Sequence, residues 1–391
     1  MARVTGDPSS HDPEAIARSL VDEVRARADE IEAARRLPAD LSRRFAASGL
    51  YRVWVPKRYG GLEAPLVPVL RALELLAVAD ASAAWCGFIA TTSSTALGGL
   101  PEATAREVFA TPETLLCGVF APHGRAEACD GGFRATGQWS FGSGTQNADW
   151  VLAGCQLMKD GAPLLGEGGA PRQHMVLVPA REVEFLDTWH VSGLCGTGST
   201  DFRLNDVFVP EERVVGWKVR RPLDLPLFTF PNFTLLAMGI GAVALGVGRA
   251  AIDSLSELAR RKQPTHSSKT VAERPDVQSA VAQAEAQLRS ARAFYYEAAE
   301  AGWEVALGGG RPSLAHRRDI RTATTHAAAT AVRVAQAMYE CAGGTSLYKT
   351  SPLQRQLRDA HAITQHVMVG RGTWETAGRA YLGIESGTQL L

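Results

Sequence analysis

The chain has 391 residues, 46% of them hydrophobic, with 41 basic and 41 acidic side chains and a formal net charge of zero. That balance removes the electrostatic case for a nucleic-acid partner; the length predicts two or three domains, and the apolar fraction suffices for a large core. Six cysteines (Cys86, Cys117, Cys129, Cys155, Cys195 and Cys341) lack CxxC spacing, which argues against zinc or a disulfide framework and suits a reducing cytoplasm.

Residues 1–11 are polar and carry no apolar h-region, so no secretory signal is expected. Asp12-Pro13-Glu14 reads as a helix start, followed by Ile16, Leu20, Val24 and Ile31 at helical spacing. Pro38 and Asp40 restart a helix through Leu41, Phe45 and Leu50; Pro56, Gly60, Gly61 and Pro65 make a loop; helices follow over 67–78 and 83–97. From about 115 to 217 short β-forming runs take over, at 116–120, 133–135, 150–153, 174–178, 202–204 and 207–209. These predict a small antiparallel β domain, with 158–172 as an exposed loop.

The stretch 233–252 is the most apolar, but it contains Gly239, Gly241, Gly246 and Gly248 and ends near Arg249. It predicts a buried helix at a subunit or domain contact and no membrane span. Long helices over 277–307 and 315–341 then suit a bundle. Helices, strands and helices in that order imply an α+β chain with a β insert. His123, His174, His190, His316 and His326 have no ligand-like spacing, so no metal site is expected.

The most informative segment, residues 189–210, reads WHVSGLCGTGSTDFRLNDVFVP. Gly193, Gly196 and Gly198 permit tight turns, and Thr197, Ser199 and Thr200 offer hydroxyls, but no strand–helix unit surrounds them as a dinucleotide fingerprint requires. GLCGTGSTD with LNDVFVPEE resembles the central β-domain signature of the acyl-CoA dehydrogenase-like superfamily. VPKRYGG at 55–61, GGFRATGQWSFGSGTQNADW at 131–150 and CAGGTSLYKTSPLQRQLRDA at 341–360 resemble further family motifs, in matching order.

Two departures sharpen the resemblance. Trp139-Ser140-Phe141-Gly142-Ser143-Gly144 stands where dehydrogenases carry a "WITN"-like string, and it is similar to the two-component, group D flavin-dependent monooxygenases. Arg358-Asp359-Ala360 is followed by His366, with no carboxylate where many dehydrogenases hold their base.

The resemblance implies an acyl-CoA dehydrogenase-like fold, mostly α: an N-terminal helical domain (1–114), a central antiparallel β domain (115–220) and a C-terminal four-helix bundle (221–391). It implies a monooxygenase taking reduced FMN or FAD from a separate flavin reductase, with O2 as co-substrate. Through a C4a-hydroperoxyflavin it would hydroxylate a small aromatic, polyketide-like or related organic substrate. Ser143 and His366 are then the catalytic candidates, the serine at the ring nitrogen and the histidine as a proton carrier titrating near neutrality. Cofactor contacts are expected from Trp139, Phe141, Ser143, Gly196, Thr197 and Ser199. Arg260 and Arg261, and the backbone of Gly343, Gly344 and Thr345 across a subunit interface, would meet the phosphates. A homotetramer is implied. Relatives often have His-Ala at Asn147-Ala148. They also often carry a histidine in the turns after the Ser82-Ala83-Ala84-Trp85 string, where this chain has Thr91, Thr92, Ser93 and Ser94, so the substrate need not be a simple phenol. The alternatives are an acyl-CoA dehydrogenase or related flavin oxidase, and a non-catalytic scaffold.

Overall fold

The computed structural model describes residues 12–166, 168–219, 223–384 and 391. The expectations about residues 1–11 and about a boundary at 220/221 lie outside the described residues. Helix α1 (Pro13–Ala26) starts as the sequence suggests, the Asp12 side chain accepting the Glu14 N–H at 3.1 Å. The expected single helix through Ile31 breaks at Arg27 into α1 and α2 (Ala28–Ala34). Next come α3 (Ala39–Ala47), α4 (Leu66–Ala79), α5 (Ala81–Ser94) and α6 (Glu102–Val108). The helix expected over 83–97 ends sooner, passing into a 3-10 turn from Thr95.

The strands are β1 (Leu116–Cys129), β2 (Gly132–Trp139), β3 (Trp150–Lys159), β4 (Ala162–Pro163), β5 (Gln173–Pro179), β6 (Glu184–Leu186), β7 (Asp201–Pro210) and β8 (Val214–Val215). They form one sheet in the order β6-β7-β2-β1-β3-β5-β8, with β4 paired to the end of β3. The predicted loop at 158–172 thus contains a short hairpin. The sheet is mixed, not antiparallel throughout, because β1 and β3 pair in parallel. The cause is topological: β2 reverses against β1, and the turn after Trp139 reverses the chain again and lays β3 on β1's other edge. That crossing turn carries Ser143.

The remaining helices are α7 (Asn232–Arg261), α8 (Pro275–Leu307), α9 (Leu314–Ala342), α10 (Pro352–Ile363) and α11 (Arg371–Tyr381). Helix α7 is long and apolar enough to cross a membrane, but 94% of its most apolar window is buried within the chain. Its glycines serve internal contacts. A Cβ on Gly239 would lie 2.6 Å from the Phe88 ring, on Gly241 2.6 Å from Tyr295, and on Gly246 2.4 Å from the Glu74 carbonyl oxygen. The glycine-rich face therefore packs on α4, α5 and α8 of its own chain, and the expected subunit contact is not needed to explain it. N- and C-terminal helices share one continuous apolar core, whereas Phe133, Trp139, Phe202 and their neighbours form a separate core in the sheet.

Candidate functional site

The site is built around the turn that follows β2. Phenylalanine at position 141 adopts φ +66°, a conformation few non-glycine residues take, and its ring stays 72% exposed with its edge toward Trp189 at 6.2 Å. Gly142 donates its N–H to Thr200 O (3.1 Å) and Gly144 to Thr197 O (2.9 Å), fastening the turn to the 196–200 loop. A Cβ on Gly142 would come within 2.9 Å of Phe202, Thr145 and Thr200, so this close approach requires glycine.

Between these glycines Ser143 is buried, its Oγ 2.6 Å from Ser199 Oγ and accepting the Trp85 indole N–H at 3.1 Å. Ser199 Oγ lies 2.6 Å from Thr197 Oγ1, which donates to Leu194 O at 2.8 Å. Three predicted residues, Ser143, Thr197 and Ser199, therefore meet in one buried chain of hydroxyls.

His366 sits on the connection between α10 and α11, its ring 5.8 Å from that of Trp85 at 61°. Nδ1 accepts the Met368 backbone N–H at 3.2 Å, which leaves the proton of the neutral ring on Nε2. Burial, with a smaller contribution from the Arg321 cation, pulls its pKa down from 6.5 to about 4. The expectation of a histidine titrating near neutrality is thus corrected: this imidazole is neutral at pH 7 and offers an N–H donor. Trp85, which the sequence reading passed over, joins the two halves, its N–H on Ser143 and its ring edge beside His366.

Other predicted residues are placed elsewhere. Trp139 is fully buried in the strand core, its N–H on Gly154 O (2.7 Å) and its ring stacked on Phe202, so it presents no face to a cofactor. Gly196 is buried against α2, where a Cβ would meet Ile31 at 2.2 Å; its backbone is used in packing. Asn147 donates to Leu37 O at 2.7 Å. Arg261 ends α7 on the surface, paired with Glu257 at 2.9 Å. Its neighbour Lys262 donates to Ala342 O (2.6 Å), which brings this helix end beside the exposed Gly343 and Gly344. The structure thus makes two clusters on different elements: Phe141, Ser143, Thr197, Ser199, Trp85 and His366, and Arg261 with the Gly343 loop. Among the described residues no group of three His, Cys, Asp or Glu could hold a metal.

The first cluster fits a flavin ring. An uncovered aromatic is held in a strained backbone, and a buried hydroxyl beside it can meet a ring nitrogen. The second cluster supplies a cation beside an exposed backbone turn, the chemistry a phosphate requires, although the Gly343 N–H is already given to Glu340 O.

Comparison with known proteins agrees. The model for the acyl-CoA dehydrogenase N-terminal domain matches residues 13–102 and that for the C-terminal domain residues 238–371. The chain is 36% identical to indole-3-acetate monooxygenase of Pseudomonas putida, over 93% of this chain and 92% of that one. It is 31% identical to the oxygenase component of the FADH2-dependent resorcinol hydroxylase of a Rhizobium species, over 94% and 93%. Among solved structures, XiaF from a Streptomyces species, in complex with FADH2 and glycerol, superimposes with a TM-score of 0.88 at 28% identity, covering 96% of each chain. The chain belongs to the acyl-CoA dehydrogenase family, and within it to the flavin-dependent monooxygenases that act as the oxygenase component of a two-component system.

Proposed function

We propose that this oxygenase binds reduced FAD or FMN delivered by a separate reductase and inserts one oxygen atom into a small aromatic substrate of the indole-3-acetate type. The observation that carries the reading is the junction at Trp85, which holds the Ser143 hydroxyl on one side and stands against neutral His366 on the other. Reduced flavin, when bound, supplies the electrons that activate dioxygen. Phe141 would lie against the ring and Ser143 would meet its central nitrogen, and the buried hydroxyl chain would keep water from that edge. His366 Nε2–H orients the substrate or the departing oxygen. Arg261 and the Gly344 amide would hold phosphate, in a homotetramer in which one subunit completes its neighbour's site; the Gly343 amide is already spent on Glu340 O. The division at 114/115 and 220/221 and a cytoplasmic location belong to the same reading.

The choice of substrate class is supported by the 36% identity to indole-3-acetate monooxygenase. It is also supported by α5, which carries no histidine over 91–94: Thr91, Thr92 and Ser94 spend their hydroxyls on carbonyls of their own helix, and Ser93 Oγ alone of the four is buried without a partner. The test is turnover of indole-3-acetate with NADH, FAD and oxygen, with and without an added flavin reductase. Coupled product only with the reductase is expected. Equal turnover without it overturns the two-component reading. Product from other aromatics but none from indole-3-acetate overturns the substrate.

A further inference from the structure

Two buried carboxylates meet behind the site. Asp80 caps α5, its Oδ1 accepting the Ala83 N–H at 2.8 Å, one turn before Trp85. Asp359, on the α10 helix that leads to His366, accepts the Leu194 N–H at 2.6 Å and so ties down the loop that carries Thr197 and Ser199. The supports of the site converge there: a Cβ on Gly196 would lie 3.0 Å from Ser82 Cβ, and one on Gly193 2.3 Å from Arg358 O. Asp80 and Asp359 are 6% and 3% exposed, and both line one cavity of about 550 Å³.

Among the described residues neither carboxylate has an ion pair of its own. Arg355, in the same cavity, is paired with Asp29 at 2.5 Å and Glu32 at 3.5 Å, and Arg358 with Glu32 at 2.5 Å. The remaining charges at the cavity are engaged as well, Arg25 with Asp22, Asp253 with Arg249 and Glu257 with Arg261. Burial pushes the nearby Cys86 and Cys195 thiols up, so they stay neutral. Two carboxylates in this position cannot both ionise cheaply. Burial raises Asp80 to about 6, and burial followed by the charge of Asp80 raises Asp359 to about 7. Both lie above the ordinary 3.8, so the folded junction keeps protons that the unfolded chain has released. That contribution to stability is whole below 3.8 and is lost as pH rises through about 6 to 7.

We infer that Asp80 and Asp359 are positioning residues that share a proton and, on losing it, loosen the α5 cap and the 194–199 loop together, so that the site's hold on reduced flavin weakens as pH rises. Fully ionised, the two carboxylates repel across the cavity. What yields is what they hold: the first turn of α5, ahead of Trp85, and the Leu194 peptide, whose carbonyl takes the Thr197 hydroxyl. Both lead to Ser143, through the Trp85 N–H and through Ser199. The inference rests on the reading that the Ser143 turn holds flavin.

The test is the Kd of reduced FAD, measured anaerobically at about pH 6 and about pH 8.5, with urea midpoints over the same range. Wild-type binding should weaken by about tenfold, within the limit for one linked proton. Asp359→Asn and Asp80→Asn each keep an acceptor oxygen for the backbone N–H and remove one charge. Each should bind tightly at both pH values and flatten the fall in urea midpoint; Asp359→Ala, with no acceptor for Leu194, should bind weakly at both. Any titration of the flavin itself is common to every protein, so the difference between wild type and the Asn variants decides. Two such variants keep the test usable should one fail to fold. Asn variants that follow the wild-type binding profile overturn the inference, even where their urea profile is flat, since the pair then titrates without reaching the site. Wild-type binding by Asp359→Ala overturns it too. If Ser143→Ala binds reduced FAD as the wild type does, the flavin is not at this turn and the site reading falls, taking the inference with it.

Discussion

His366 offers a hydrogen bond where a titrating base was expected. Its Nδ1 is occupied by the Met368 amide, and burial together with the Arg321 cation opposes a second proton. A neutral N–H donor should be replaceable by another. His366→Ala should cut coupled product about 10²-fold, with the lost turnover appearing as hydrogen peroxide, whereas His366→Gln should retain most of it. Product against pH should show no inflection from this residue between pH 6 and 8. Because the folded pKa of about 4 lies below the ordinary 6.5, the unfolded chain binds this proton more readily. The group's contribution to stability is therefore whole above 6.5 and is lost as pH falls toward 4, and His366→Gln should flatten that loss in urea titrations. Full activity of His366→Ala would return the residue to packing. Ser143 and His366 could be singled out in the sequence because short motifs surround them. Trp85 stands at the end of a recognisable string, Ser82-Ala83-Ala84-Trp85, but the sequence assigns it no role, since a tryptophan in an apolar helix reads as core. Trp139 was misplaced although the clue was present: Phe133, Ala135 and Trp139 alternate with Arg134, Thr136 and Gln138, which points Trp139 inward and leaves Phe141, beyond the strand, as the aromatic at the cleft.

Helix α7 shows what periodicity reveals of an element and what it leaves out. Its length and burial follow from an apolar run, but the partners of its glycines depend on which helices arrive from elsewhere in the chain, α4 and α5 from far before it and α8 from after it. The same holds for the parallel β1–β3 pair: each strand is visible locally, while their adjacency depends on how β2 and the Ser143 turn route the chain. At Gly246 the backbone of α4 lies too close for a methyl group, the nearest atoms being Glu74 O at 2.4 Å and Ala77 Cβ at 2.5 Å. Gly246→Ala should therefore destabilise by about 1–3 kcal/mol, the usual cost of overpacking. Gly378→Ala, in α11 with nothing within 4 Å, should be neutral or stabilise by up to about 1 kcal/mol, because alanine is the better helix former. Urea midpoints decide. Equal effects at the two sites would mean that helix propensity and not close approach governs α7.

At the scale of the whole molecule, the two clusters raise the question of which chain completes which site. Arg261 and the Gly343 loop sit at the C-terminal ends of α7 and α9, while Ser143 and His366 sit in the turn after β2 and beyond α10. Beside the Gly343 loop, Leu347 and Tyr348 are 73% and 69% exposed, an apolar surface suited to cover by a second copy. If the phosphate cluster serves a neighbour's flavin, Ser143→Ala and Arg261→Ala damage different parts of each site. In an oligomer mixing the two variant chains, some sites then combine an intact Ser143 from one chain with an intact Arg261 from the other. Co-expression with two affinity tags, followed by tandem purification, isolates such mixtures. They should regain a substantial share of coupled turnover and of tight reduced-flavin binding, although each parent variant lacks one or the other. Were both clusters of a site to come from the same chain, every site in the mixture would keep one lesion and nothing would be regained. That outcome would confine the cofactor to a single subunit and remove the reason for a shared interface at the Gly343 loop.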